Sequence, residues 1–537
     1  MRIRVIPMSL VCASVAGAAP PVFTNVTTPE IADALGHSRG VSWADYDGDG
    51  DLDLYVTNWT GGPNRLHRNN GDGTFTWIQG GLLSDSSFGG GASWVDMDND
   101  GDLDVFIANS GDNRLIRNDG NGVFSSINIL FINDGGLSRS SAWGDVDGNG
   151  FVDLYFSVAG VTGASDSGKV NRLALNLAPN VLAIYPYDTL EMPTQVGRGV
   201  AWADFDDDGD LDLYVANGGP PDTVQKMPVD HSNGLFLNNG DGTFTDITPP
   251  ELALADNSRS VTWADYDNDG DLDLFVTTVN VGTNDLFENT PEGFVRAFHP
   301  AIEANGRTRD ASWGDYDNDG DLDLYLSSVD DNRLLENLGD GFVFIDVTDG
   351  ALGNAANGRG VTWADYDDDG DLDLFNATSL ENTLFRNDTV TGNHWLKVRL
   401  TGTTTNRSAV GARITIYVGE TIQTREVNAG EGYLSCRPLE QHFGLGKATV
   451  IDRLEVRWPT STITQVFENV PVDQTLHIEE SLQITADLNG DGVVDGADLA
   501  ALLAAWGSTS PTADITNNGI VDGADLAALL AAWGTTS

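Results

Sequence analysis

The sequence predicts a mainly β fold: a seven-bladed β-propeller, a small β-rich domain, and a small pair of helices each led by a metal-type loop. Three observations predict it. An acidic motif recurs seven times at a spacing of about fifty residues, and short strand-like runs flank every copy. After the last copy the period stops and alternating apolar and polar runs take over. The C-terminal stretch then holds a second kind of acidic loop twice, each time ahead of a helical run.

The chain opens with Arg2 and Arg4, a mostly apolar run from Val5 to Val15, and the small residues Ala16, Gly17 and Ala18. This predicts an export signal over residues 1–18; a buried N-terminal strand is the alternative. Cys12 lies inside that segment, but Val11 precedes it where a lipid-anchoring signal needs a small residue. Only Cys436 would then remain, so no internal disulfide is expected and the thiol reads as an inert buried one, with a reactive role as the alternative. No later apolar run approaches the ~20 residues that a spanning helix needs.

The repeat begins as Trp43-Ala44-Asp45-Tyr46-Asp47-Gly48-Asp49-Gly50-Asp51-Leu52-Asp53-Leu54. Its first acid falls at Asp45, Asp96, Asp145, Asp204, Asp265, Asp315 and Asp365, and a Trp stands two residues ahead each time. Those seven Trp side chains read as packing elements between blades. Each unit holds about four short strands, with an Asn-x-Leu-x-x-Asn element such as Asn64, Leu66 and Asn69, the content expected of a propeller blade. Two units are longer because of extra sequence at 160–170 and 218–232, which should map to one face of the ring. The run Phe23 to Thr27 resembles the blade-end strand Phe344 to Thr348, so it should complete the last blade and close the circle over 22–390. An open solenoid is the alternative.

The acidic loop places carboxylates at positions 1, 3, 5 and 9 and a Gly at position 6. Calcium takes about six to eight hard oxygens at about 2.3–2.6 Å, and a tight loop aims alternate side chains inward while position 7 offers its carbonyl. The expected calcium ligands are Asp45, Asp47, Asp49, Asp51 and Asp53; Asp96, Asp98, Asp100, Asp102 and Asp104; and Asp145, Asp147, Asn149, Phe151 and Asp153. They continue with Asp204, Asp206, Asp208, Asp210 and Asp212; Asp265, Asp267, Asp269, Asp271 and Asp273; Asp315, Asp317, Asp319, Asp321 and Asp323; and Asp365, Asp367, Asp369, Asp371 and Asp373. Without a cation so many carboxylates would repel one another. The third loop, with Asn149 at position 5 and Phe151 at position 7, should bind more weakly because one charge is missing.

These loops hold 35 of the 81 acidic residues, set against 28 basic ones for a net charge of -53. Such a surface repels phosphate backbones and anionic membranes, which excludes nucleic acid as a partner.

The repeat resembles the FG-GAP/VCBS family, whose blades are similar to those of integrin α-subunit heads. The resemblance implies a calcium-stabilised propeller used in adhesion or protein contact. Over 393–480, the runs Asn406 to Arg413, Gly432 to Ser435 and His442 to Gly446, with Trp458-Pro459, resemble the ASPIC/UnbV domain. Arg407, Arg413, Arg425 and His442 there read as structural salt-bridge formers, with a polar binding site as the alternative.

Over 485–537, Asp487, Asn489, Asp491, Val493, Asp495 and Asp498 form an EF-hand-like calcium loop, with Val493 giving its carbonyl. A helix from Ala497 to Trp506 should follow, stopped by Gly507. The second copy uses Asp514, Thr516, Asn518, Ile520, Asp522 and Asp525 and should bind more weakly. The pair resembles a type I dockerin, which implies a cohesin-like partner, although Gly496-Ala497 and Gly523-Ala524 stand where hydroxyl residues are common.

Three functions compete: a secreted or cell-surface calcium-binding adhesion or scaffold protein with an extracellular protein or glycan ligand, an extracellular carbohydrate-active enzyme component, and a structural matrix or surface-layer protein. No carboxylate pair or Ser/His/Asp set stands apart from the metal-type loops, so no enzyme activity is expected.

Overall fold

The computed structural model describes residues 21–533 except 34–36, 61, 134, 160–169, 186–188, 193–195, 219–231, 255–256, 280–282, 304–306, 340, 342, 354–356, 462, 482–485, 487, 490–492, 511–512, 514 and 516–519. The expected export signal and most of both long insertions lie outside the described residues. The chain divides into two compact units, one ending at Glu480 and the other beginning at Ser481.

In the first unit each acidic motif sits between two antiparallel strands. The first strands are Ser38–Ala44, Phe88–Val95, Ser138–Gly144, Gly197–Ala203, Ser258–Ala264, Thr308–Gly314 and Gly358–Ala364. Each opens a run of four antiparallel strands, with Ser435–Cys436 added as a fifth, parallel strand beside Ser38–Ala44, and the first strands neighbour one another in sequence order. The cycle closes, because Gly358–Ala364 also neighbours Ser38–Ala44. Phe23–Asn25 supplies the fourth strand of the last sheet, pairing Phe23 with Asn387. The N-terminal strand therefore completes the last sheet, as its likeness to other fourth strands predicts.

First and second strands are buried almost throughout, polar and small residues such as Ser38, Gly40, Ser42 and Asp53 included. The Trp of each motif packs against the preceding sheet. Trp43 stacks on Tyr366 at 6.3 Å between centroids, and Trp94 meets Tyr55 edge-on at 5.8 Å. Most indoles also donate backwards, as Trp94 does to Ser42 and Trp143 to Ser93, both at 3.0 Å. Burying the indole with its N–H satisfied avoids the cost of an orphaned donor.

The second Asn of each Asn-x-Leu-x-x-Asn element, buried in all but the half-buried Asn289, ties its sheet to the one before. Asn118 donates to the Tyr46 carbonyl at 2.8 Å, Asn176 to Met97 at 2.7 Å and Asn238 to Val146 at 2.9 Å. Asn289, Asn337 and Asn387 repeat the bond to Phe205, Tyr266 and Tyr316 at 2.7, 2.9 and 2.7 Å. Asn69 closes the series onto Tyr366 at 2.7 Å.

The segment from Trp395 to Glu479 forms a three-stranded and a four-stranded sheet around Leu396, Ile414, Phe443, Leu454 and Trp458. One stretch leaves this core and binds four first strands of the cycle. Trp143 N–H donates to Ala429 O at 2.9 Å, Gly432 N–H to Val261 O at 2.9 Å, Val200 N–H to Gly432 O at 3.3 Å and Val41 N–H to Leu434 O at 3.1 Å. Ser435 and Cys436 then pair in parallel with Val41 and Ser42. Bonded to four separate strands, this stretch fills the space they enclose. Gly199 makes room for it, since a Cβ there would lie 2.9 Å from Gly432 O and 2.4 Å from Arg259 O.

The second unit contains two helices, Gly496–Ala504 and Gly523–Ala531, around Val494, Leu502, Val521 and Leu529. The first helix is shorter than expected and leaves Trp506 outside it.

Candidate metal centres

The seven acidic loops fold by closely similar local bonds, the fifth without the one from the position 5 amide to position 1. In the first, Asp45 accepts from the amides of Asp49 and Gly50 at 3.0 Å each, and Asp49 accepts from Asp51 at 3.1 Å. Position 6 demands glycine because its φ is positive in every loop, from 86° at Gly150 to 105° at Gly101. Position 4 is left-handed as well, at Gly48, Asn99, Gly148, Asp207, Asn268, Asn318 and Asp368, which explains its restriction to Gly, Asn and Asp.

In the first loop position 9 is locked by bonds to two sites. Asp53 accepts from the amides of Tyr46 at 3.2 Å and Asn69 at 2.7 Å, so the Asn element that joins neighbouring sheets also fixes a candidate ligand. The equivalent bond from the Asn amide recurs at Asp104, Asp153, Asp212, Asp273, Asp323 and Asp373, at 2.7 or 2.8 Å.

Positions 1, 3 and 9 converge. Ligand oxygens lie within 4.8 Å of one another in Asp45, Asp47 and Asp53; in Asp96, Asp98 and Asp104; in Asp145, Asp147 and Asp153; and in Asp204, Asp206 and Asp212. In the fifth loop Asp265 and Asp267 gather with position 5, Asp269. In the sixth, burial first and then the Asp319 and Asp317 charges push Asp315 well above the usual carboxylate range. Oδ1 of Asp47, Asp98, Asp267 and Asp367, all at position 3, is buried without a hydrogen-bond partner. Burial pushes position 9 up to about 8 at Asp53 and Asp104 and to about 9 at Asp212, against their backbone bonds. Orphaned acceptors beside crowded carboxylates fit a hard divalent cation.

The remaining predicted ligands behave differently. The position 5 carboxylates accept from the position 7 amide, as Asp208 does from Asp210 and Asp319 from Asp321, both at 3.0 Å. Asn149 keeps this bond, to Phe151 at 2.8 Å, so the departing third loop retains its shape. Position 7 side chains stand outside the five carboxylate groups just named; Asp321 and Asp371 instead accept from Asn268 and Asn318 of the preceding loop. In the second unit Asp495 and Asp498 form a capping box, as do Asp522 and Asp525. Asn489 donates its amide to Asp498 at 3.1 Å, while Asp487, Asp491, Asp514, Thr516 and Asn518 lie outside the described residues.

No local pattern announces that position 1 is shared. Lys397, 1% exposed, pairs with Asp365 at 2.8 Å and Asp368 at 2.5 Å. Arg413 reaches Asp207 at 2.7 Å, Arg457 pairs with Asp204, and Arg407 lies 3.7 Å from Asp96. Thr460 donates to Asp145 at 2.8 Å and Thr424 N–H to Asp265 at 2.9 Å. Arg425 sits between the Asp265 and Asp315 charges, and burial brings its guanidinium down to about 10. His442 bonds Gly370 O at 3.0 Å, and burial pushes it down to about 3. All four residues singled out as salt-bridge formers thus face the acidic loops. Cys436 is buried and its thiol is pushed up to about 11, the environment of an inert cysteine.

Residues 45–107, 96–156, 204–276 and 315–376 match the profile of the FG-GAP-like repeat, and residues 402–484 match that of ASPIC and UnbV. The chain carries FG-GAP-like repeats and an ASPIC and UnbV domain.

Human cartilage acidic protein 1 is 25% identical over 277 residues, covering 50% of this chain and 33% of the relative. The mouse protein of that name is 26% identical over 312 residues, covering 55% and 40%. The chain therefore spans two fifths or less of these relatives' length. Among solved structures, streptogramin B lyase aligns with a TM-score of 0.44 at 11% identity, covering 68% of this chain and 97% of its own. An Agrocybe aegerita lectin aligns with a TM-score of 0.40 at 16% identity, covering 58% and 81%. No helix among the described residues is long and apolar enough to cross a membrane. Of the cations that dock on the acidic loops, Arg407, Arg413 and Arg457 lie within the ASPIC and UnbV match and Lys397 just before it.

Proposed function

We propose that the chain is a secreted or cell-surface calcium-binding scaffold or adhesion protein, built on a seven-bladed propeller and without enzyme activity. The observation that carries the reading is the repeated carboxylate cluster with a buried, unpartnered position 3 oxygen. Asp, Asn and backbone oxygens in a flexible loop suit calcium better than softer metals, which favour thiolate and imidazole. The relatives are named for cartilage and for acidity, which supports an extracellular setting. The closed cycle of first strands supports a propeller whose blades the cation loops brace. The C-terminal helix pair would be a separate calcium-folded docking module, with a cohesin-like partner as the first candidate.

Calcium titration of the chelator-stripped protein, followed by calorimetry and thermal melting, tests the metal. Binding of several calcium ions per chain with a large rise in melting temperature is expected; an unchanged melt removes the reading. Pull-down from extracellular extracts and a glycan array, each with calcium and with chelator, test the ligand. Sugar release from a polymer would instead establish the enzyme alternative.

A further inference from the structure

At the end of the first strands opposite the acidic loops lies a second charged cluster, of the other sign. The residue after each strand start is Arg39, Arg139, Arg198, Arg259, Arg309 or Arg359 in six of the seven sheets, with Gly89 and Gly90 in the other. A register shift falls across this position in all seven strands. Such bulges re-aim side chains. Arg309 and Arg359 bond to Gly358 O and Ser379 Oγ, while the other four converge on Tyr433, carried in by the inserted stretch of the ASPIC and UnbV domain. Burial alone would raise the Tyr433 phenol, but Arg198, Arg139, Arg259 and Arg39 together hold it well below its ordinary range.

Two of these guanidiniums keep buried donors free. Nε and Nη1 of Arg139 and Nη1 of Arg39 have no hydrogen-bond partner, and Arg139 is only 6% exposed. Among the described residues neither arginine pairs with a carboxylate. Both lie over the half-buried ring of Trp59, Arg39 at 3.5 Å and Arg139 at 5.0 Å from its centroid. Buried guanidiniums normally have a partner, because their desolvation is otherwise uncompensated.

We infer that Arg39, Arg139, Arg198 and Arg259, around Tyr433 and beside Trp59, form a binding site for an oxyanionic group: a carboxylate, sulfate or phosphate. Planar guanidinium forks match such oxygens bidentately, and Trp59 holds two of the forks in place before the ligand arrives. The site goes beyond the calcium reading, since it uses the opposite ends of the first strands and none of the acidic loops.

The test is calorimetric titration of the full calcium-loaded chain with sulfate, glucuronate and glycerol phosphate at constant ionic strength, with glucose as the uncharged control. Saturable binding of at least one oxyanion and none of glucose is expected, and the order of the three identifies the preferred group. Arg139→Gln and Arg39→Gln should each weaken binding by about tenfold, the loss of one charge-assisted contact. The exposed Arg453→Gln should leave it unchanged. A wild-type melting temperature raised by the bound oxyanion gives a readout independent of the variants. No saturable binding of any oxyanion, or Arg139→Gln binding as wild type does, overturns the proposal.

Discussion

Asn337 shows how much one side chain carries here. Its amide fixes Asp323, while its side chain bonds Tyr266 of the preceding sheet and Leu322 of its own. Asn337→Ala leaves two buried carbonyls short of a donor, so a loss of about 1–3 kcal/mol is expected in denaturant unfolding. Lys397 is the second decisive residue. Lys397→Met strands Asp365 and Asp368 beside a cluster of like charge, at a cost of about 3–5 kcal/mol when no calcium is present. The loss should shrink when calcium is added, because the cation supplies the missing positive charge; equal losses with and without calcium would show that the loop holds no metal.

At the scale of elements, the acidic loops and the inserted stretch of the ASPIC and UnbV domain depend on different constraints. The loops need left-handed residues at positions 4 and 6. The stretch needs space. Gly430 has φ 102°, and a Cβ there would lie 2.2 Å from Ser141 O. Gly430→Ala should therefore dislodge the stretch and expose Cys436, read as faster thiol labelling and early proteolysis between residues 427 and 438. The seven loops were legible in the sequence because each is a local device whose ligands and turn glycine lie within nine residues, with a strand directly on either side. The docking of the segment after the repeats on them was not, because Arg413 read as a salt-bridge former without a named partner, Lys397 as a polar position of a half-buried strand, and Arg457 carried no signal. The partners of Arg413 and Arg457 lie far away in sequence, 206 residues between Arg413 and Asp207 and 253 between Arg457 and Asp204.

For the whole molecule, charge and pH are linked through the buried position 9 carboxylates. Their folded-state values, about 8 at Asp53 and Asp104 and about 9 at Asp212, stand above the ordinary 3.8. The folded apo-protein then binds more protons than the unfolded chain between those values, so its stability falls as pH rises. The melting temperature of the stripped protein should drop from pH 5 to pH 9, whereas calcium should flatten the dependence by stabilising the ionised carboxylates. A stripped protein whose melt is independent of pH would show that these acids are ionised without cost.

By itself the sequence determined the seven repeats, the strand that completes the last sheet, the acidic loops and the helix pair. Each follows from short-range spacing, turn chemistry or self-similarity, all of which a linear string displays. Only the tertiary structure decided that the Asn elements join successive sheets, that position 1 acids hold the segment after the repeats, and that arginines from four different sheets meet around Tyr433. Those contacts depend on closure of the cycle, which brings together residues that no local pattern relates.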